Sequence, residues 1–124
     1  THPFFQRADY QAQMTERKVQ IESWAPFAEG RNDLFTNPEL VIIAEAHGKS
    51  VAQVVLRWLI QRDVVVIPKS VRKDRMAENF DVFNFELSQS DLEKIAKLDG
   101  AVSLFFDHRT LESAEWLGTR TLDL

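Results

Sequence analysis

Val64-Val65-Val66-Ile67-Pro68-Lys69-Ser70-Val71-Arg72-Lys73-Asp74-Arg75-Met76-Ala77-Glu78-Asn79 joins an apolar, β-branched run directly to a basic stretch. Four β-branched residues without polar alternation, Val64 to Ile67, predict a parallel strand covered on both faces. Pro68 has no N–H and ends strand pairing, and Ser70 predicts an N-cap for a helix starting at Val71. The free N–H groups of a helix start, flanked by Lys69, Arg72, Lys73 and Arg75, suit an anion such as phosphate. Such a site, at the C-terminal end of a parallel strand, lies where α/β proteins usually bind ligands.

Working outward, Thr1 to Phe5 reads as the end of a strand. Arg7 to Lys18 reads as a helix with Ala8, Tyr10, Ala12 and Met14 free to pack, and Val19 to Trp24 as a short strand. After a loop from Ala25 to Thr36, Asn37-Pro38 marks a helix start and Gly48 its end. That helix carries Leu40, Val41, Ile43 and Ala44. Ser50 with Gln53 three residues on predicts a capping box, and Val51, Val54, Val55, Trp58 and Leu59 form one buried stripe up to Asp63. Val82 to Phe85 is strand-like. Ser88 caps a helix expected through Asp99, with Leu92, Ile95, Ala96 and Leu98 inward. From Gly100 to Leu124 runs a tail with Phe105-Phe106 and Trp116 as anchors. Strand–helix alternation at this spacing predicts three or four parallel βα units, without repeats or low-complexity linkers. An eight-unit barrel takes roughly 250 residues, so 124 residues are expected to be about half of one. Thr1-His2-Pro3-Phe4-Phe5 reads as the middle of a longer chain, with the other half expected before Thr1.

Composition narrows the function. With 44% hydrophobic and 27% charged residues this is a globular sequence. A net charge of -4 excludes a broad nucleic-acid surface, and the local cations suit one small anion. No cysteine is present, which removes disulfides and thiolate metal sites and makes a reducing cytoplasm the simple expectation. No apolar run of about 18 residues exists to span a membrane. The acidic residues Glu16, Glu22, Glu39, Glu45 and Asp63 form no paired-carboxylate arrangement, and no His/Asp/Glu group has metal-ligand spacing.

Ile67-Pro68-Lys69-Ser70, then Arg75, then Glu78-Asn79, resembles the cofactor signature of the aldo-keto reductases. The resemblance implies an α/β fold, here the C-terminal half of a (β/α)8 TIM barrel with parallel strands and outer helices. Residues 1–99 would be its βα units and 100–124 its tail. It also implies NADPH/NADP+ as cofactor. Lys69 and Ser70 would contact the adenosine 2′-phosphate, with a backbone contact from Val71. Arg75 would pack on the adenine within reach of the same phosphate, and Glu78 and Asn79 would meet the adenine amino edge. The other reading of this cluster is a solvated basic helix face, which does not need Pro-Lys-Ser at this spacing.

Glu22-Ser23-Trp24-Ala25-Pro26-Phe27 matches a second family segment, in which an aromatic residue stacks on the nicotinamide. Trp24 takes that place, with Ala25 and Phe27 along the pyrophosphate. By itself Trp24 would more often be a core residue. Ala25 and Phe27 stand where many members have Ser and Leu. Glu29 lies where the loop closes over an anionic pyrophosphate, and is expected to point away or accept from a ribose hydroxyl. Trp24, the capped helices and the tail Ser103-Leu104-Phe105-Phe106-Asp107-His108-Arg109 are most similar to the bacterial 2,5-diketo-gluconate reductase-like branch.

The family reduces aldehydes and ketones by hydride transfer from NADPH, using a Tyr acid, a Lys, an Asp and a His that come from the first half of the barrel. None is expected here. Tyr10 sits on an outer helix, and His2, His47 and His108 read as structural. The intact protein is expected to be a monomeric NADP-dependent reductase of small carbonyl compounds. The alternative is an NADPH-binding regulatory protein without turnover. The isolated piece, with open sheet edges, is expected to self-associate or to bind nothing.

Overall fold

The computed structural model describes residues 1–105 and 110–119. Two short strands, β1 (Glu22–Ser23) and β2 (Val65–Val66), pair in parallel with Glu22 opposite Val65 and Ser23 opposite Val66. Val65 N–H donates to the Ile21 carbonyl and Ile67 N–H to the Ser23 carbonyl, both at 3.0 Å. The crossover between them holds α2 (Pro38–His47) and α3 (Val51–Gln61). Both helices start and stop on their local signals. Asn37 Oδ1 accepts from the Glu39 and Leu40 amides, Gly48 closes α2 at φ 60°, and Ser50 and Gln53 cap each other across the first turn of α3.

One face of the sheet is covered. Val54, Val55, Trp58 and Leu59 of α3 pack with Leu40 and Ile43 of α2, and Leu34, Val64, Leu87 and Ile95 complete the core. The opposite face is open: Val65 is 43% and Ile67 49% exposed, so the expectation of a strand covered on both faces does not hold among the described residues. The strands are also shorter than expected, because strand geometry needs a hydrogen-bonding neighbour and here each has one. For the same reason Val82 to Phe85 is irregular chain rather than a strand, and Thr1 to Phe5 is a turn closed by reciprocal bonds between His2 and Phe5.

Helix α1 (Ala8–Glu16) buries no residue, although Ala8, Tyr10, Ala12 and Met14 were its expected packing set. It docks through polar contacts instead. Gln11 Nε2 donates to the Arg62 carbonyl, and Arg62 Nη2 donates to Gln11 Oε1 at 2.7 Å and to the Gln6 carbonyl at 3.0 Å. Helix α5 (Gln89–Ala96), capped by Ser88 and Asp91, ends short of Asp99 and leaves Ala96 exposed. Within the expected tail, Leu111–Thr119 forms a further helix, α6.

Candidate functional site

The helix after the signature strand begins later than expected. Ser70 Oγ accepts from the Arg72 amide at 3.2 Å, forming a local turn, and α4 runs from Lys73 to Phe80 with Arg72 as an N-cap residue whose side chain does not bond the helix amides. Ser70 is therefore not the N-cap of a helix starting at Val71. Its hydroxyl remains beside Lys69 at the end of β2, and the first-turn amides of α4 have no side-chain cap.

Lys69, Ser70, Arg75, Glu78 and Asn79 line one groove of about 380 Å³, together with Phe27. Its far wall is Phe35 and the start of α3, at Ser50, Val51 and Ala52. These wall residues were not expected in the site; the Ser50 cap, which fixes where α3 starts, was the available signal. The electrostatics are local. Arg72 is held by Asp74 at 2.5 Å, which raises its pKa and offsets its positive charge. Among the described residues Lys69, Lys73 and Arg75 make no ion pair, and Lys69 and Arg75 line the groove together with the Glu78 carboxylate. Val71 does not line this groove and is 83% exposed.

Trp24 and Ala25 line a different pocket, of about 190 Å³, shared with His2, Phe5 and Phe105. Trp24 is 58% exposed and not a core residue; the Phe105 ring lies 5.2 Å from it at 47°. The segment Ala28–Thr36, a pair of 3₁₀ turns broken in the middle, follows Phe27 and supplies Phe35 to the groove wall. Ala28, Glu29, Asn32 and Asp33 hold φ of 50–54° there, a left-handed conformation that costs about 1–3 kcal/mol per non-glycine residue. Such stored strain is commonest at functional sites. The Glu29 carboxylate accepts from Arg31 Nη2 at 3.3 Å, which neutralises it.

The other histidines are built into the fold. His2 is buried with both ring nitrogens unpartnered, and burial lowers its pKa to about 4. His47 Nε2 lies 3.0 Å from Asp91 Oδ2, joining α2 to α5. Burial opposes ionisation of Asp91, yet the bonds from His47 and Ser88 hold its pKa below the usual carboxylate value. Tyr10 stands on α1 beneath the Arg7 guanidinium, 5.0 Å from its ring centre. Phe106, Asp107, His108 and Arg109 lie outside the described residues. No metal-binding cluster and no helix long and apolar enough to cross a membrane occurs among the described residues.

A parallel βα unit whose strand end and following helix bring Lys69, Ser70 and Arg75 to one groove defines an α/β protein. The chain belongs to the aldo/keto reductase family, whose model matches residues 3–100. It is 44% identical over 98 residues to methylglyoxal reductase DkgA of Escherichia coli, covering 79% of this chain and 36% of that protein. It is 45% identical over 98 residues to glyoxal reductase of Bacillus subtilis, covering 79% and 35%. Among solved structures, Gox0644 in complex with NADPH matches at TM-score 0.76 and 39% identity, over 80% of this chain and 36% of that one. A putative 2,5-diketo-D-gluconic acid reductase B matches at TM-score 0.80 and 28% identity, over 88% and 38%. The fold is thus part of an aldo-keto reductase barrel, and the chain spans little more than a third of the length of these relatives.

Proposed function

We propose that this chain is the cofactor-binding part of an NADPH-dependent reductase of small aldehydes and ketones. The observation that carries this reading is the groove that gathers Phe27, Lys69, Ser70, Arg75, Glu78 and Asn79 while Lys69 and Arg75 remain without ion pairs. Two cations and a hydroxyl at one strand end suit a phosphate monoester, which fits the adenosine 2′-phosphate that distinguishes NADPH from NADH. Arg75 packs on the adenine, and Glu78 and Asn79 meet its amino edge. Val71 contributes only its backbone, consistent with its exposed side chain. Ala25 and Phe27 follow the pyrophosphate, and Glu29, held by Arg31, points away from it.

Trp24 offers an open indole face on which the nicotinamide is held and oriented. When bound, NADPH supplies the hydride that reduces a carbonyl. The proton-donating tyrosine and its lysine, aspartate and histidine partners are assigned to a part of the protein outside this chain: Tyr10 borders the Trp24 pocket, but it lies under the Arg7 guanidinium and, among the described residues, neither a lysine nor an aspartate lines that pocket. The named activities of the relatives point to short dicarbonyl compounds as first substrates. The test is oxidation of NADPH, followed by absorbance, in the full-length protein carrying this chain, with methylglyoxal as substrate. Turnover with NADPH and little with NADH is expected. Binding of NADPH without turnover would instead favour a regulatory role, and no binding would reject the proposal.

A further inference from the structure

We propose that Arg31 is a positioning residue that latches Leu104-Phe105 onto Trp24 and so builds one wall of the carbonyl side of the site. The proposal rests on the cofactor reading above for the identity of the ligand, and goes beyond it by assigning a determinant of substrate affinity.

The latch is made from one side chain and two segments far apart in sequence. Arg31 rises from the strained segment Ala28–Thr36. Its guanidinium sits 4.5 Å over the centre of the Phe105 ring, and its Nη1 donates to the Leu104 carbonyl. Its Nη2 is steadied by Glu29 at 3.3 Å. A planar guanidinium can stack on a ring and donate in its own plane at once, which an ammonium cannot do. The Phe105 ring centre in turn lies 5.2 Å from that of Trp24 and 6.2 Å from that of His2, the last pair at a steep 71°. One cation therefore fixes where the Phe105 ring stands beside the indole.

The indole keeps an open face, because Trp24 stays 58% exposed with Phe105 in place. A nicotinamide stacked on that face brings its carbonyl substrate to the pocket that Trp24 shares with Phe105, Ser103 and His2. The wall that the latch adds is aromatic, Phe105 beside Trp24. Loss of the latch frees the 103–105 segment and widens the pocket without touching Lys69 or Arg75. The effect belongs in substrate affinity, not in cofactor affinity.

Two measurements on the full-length protein test this. With methylglyoxal, Arg31→Ala should raise KM about tenfold while kcat and the NADPH dissociation constant each stay within about twofold. Arg31→Lys should recover part of the loss, and Phe105→Ala should give the same KM rise with no addition in the double variant. The second measurement needs no cofactor: acrylamide quenching of the Trp24 emission, taken as the difference from Trp24→Phe, should increase in Arg31→Ala. An unchanged KM in a folded Arg31→Ala protein would overturn the proposal. So would a rise in the NADPH dissociation constant by the same factor as KM, which would place Arg31 in the cofactor site. If the wild-type protein reduces no aldehyde, the reductase reading fails by itself, and unchanged quenching would then overturn the latch as well.

Discussion

Gln53 and Glu78 are joined from side chain to main chain: Gln53 Nε2 donates to the Glu78 carbonyl at 3.2 Å and to the Asp81 carbonyl at 2.9 Å. The Oε1 of the same amide accepts from the Ser50 N–H at 3.0 Å to complete the capping box of α3. One buried glutamine thus starts α3 and ties down the end of α4, the helix that carries Arg75, Glu78 and Asn79. Replacing Gln53 by Leu strips partners from two carbonyls and should destabilise the fold by about 1–3 kcal/mol. It should also weaken NADPH binding severalfold by letting α4 drift. Urea denaturation and a cofactor titration of the variant check both; a destabilised protein with wild-type NADPH affinity would show that α4 is held by other contacts.

Helix α2 offers a cleaner test of local signals. Asn37→Ala removes the acceptor for the Glu39 and Leu40 amides and should cost about 1 kcal/mol. Gly48→Ala meets nothing within 4 Å, so only its φ of 60° opposes the change, for a loss again of about 1 kcal/mol. Thermal or urea melts should show both losses and no change in cofactor affinity, since neither residue lines the groove.

These caps were legible because each is a pattern of neighbouring residues: Asn-Pro, Ser-x-x-Gln and a terminal Gly fix their own helix ends. Lys69, Ser70, Arg75, Glu78 and Asn79 were legible for a similar reason, as one strand end and one helix turn hold them all. What the sequence hid depends on distant partners. Ser70 was free to cap a helix or a turn, and the turn at Arg72 took its hydroxyl. The apolar residues of α1 predicted packing, but its docking rests on Gln11 and Arg62, whose pairing no local pattern announces. The exposed faces of Val65 and Ile67 reflect an uncovered sheet, not the strand's own composition. Arg31 over Phe105 joins two loops without periodicity, so no sequence signal marked it.

Acid should destabilise this chain through His2. Burial lowers its pKa to about 4, against an ordinary value of 6.5, while Asp99 pulls the other way. The unfolded chain therefore takes up a proton that the folded chain resists. The stability is intact above pH 6.5 and falls as pH drops toward 4, by at most about 1.4 kcal/mol per pH unit. His2→Phe should flatten this part of the profile. Urea midpoints measured from pH 7.5 to 4.5 check it; parallel profiles for the two proteins would remove His2 as the cause.

The open sheet has a consequence for the 124-residue chain taken alone. Val65 and Ile67 are exposed on the open face and Phe80 and Phe83 are exposed as well, and apolar surface beside an unpaired strand edge favours association. Sedimentation should show dimers or larger species that dissociate on dilution. A monomer at all concentrations with a cooperative melt would contradict this.

The most direct test of the cofactor assignment is a titration of the full-length protein and its Lys69→Met variant with NADPH and with NADH, followed by protein fluorescence. Loss of the charge-assisted contact should weaken NADPH binding by about 1.5–3 kcal/mol, or roughly 10- to 150-fold, and leave the weaker NADH affinity nearly unchanged. Equal NADPH affinities for Lys69→Met and wild type would contradict the assignment of this groove to the 2′-phosphate.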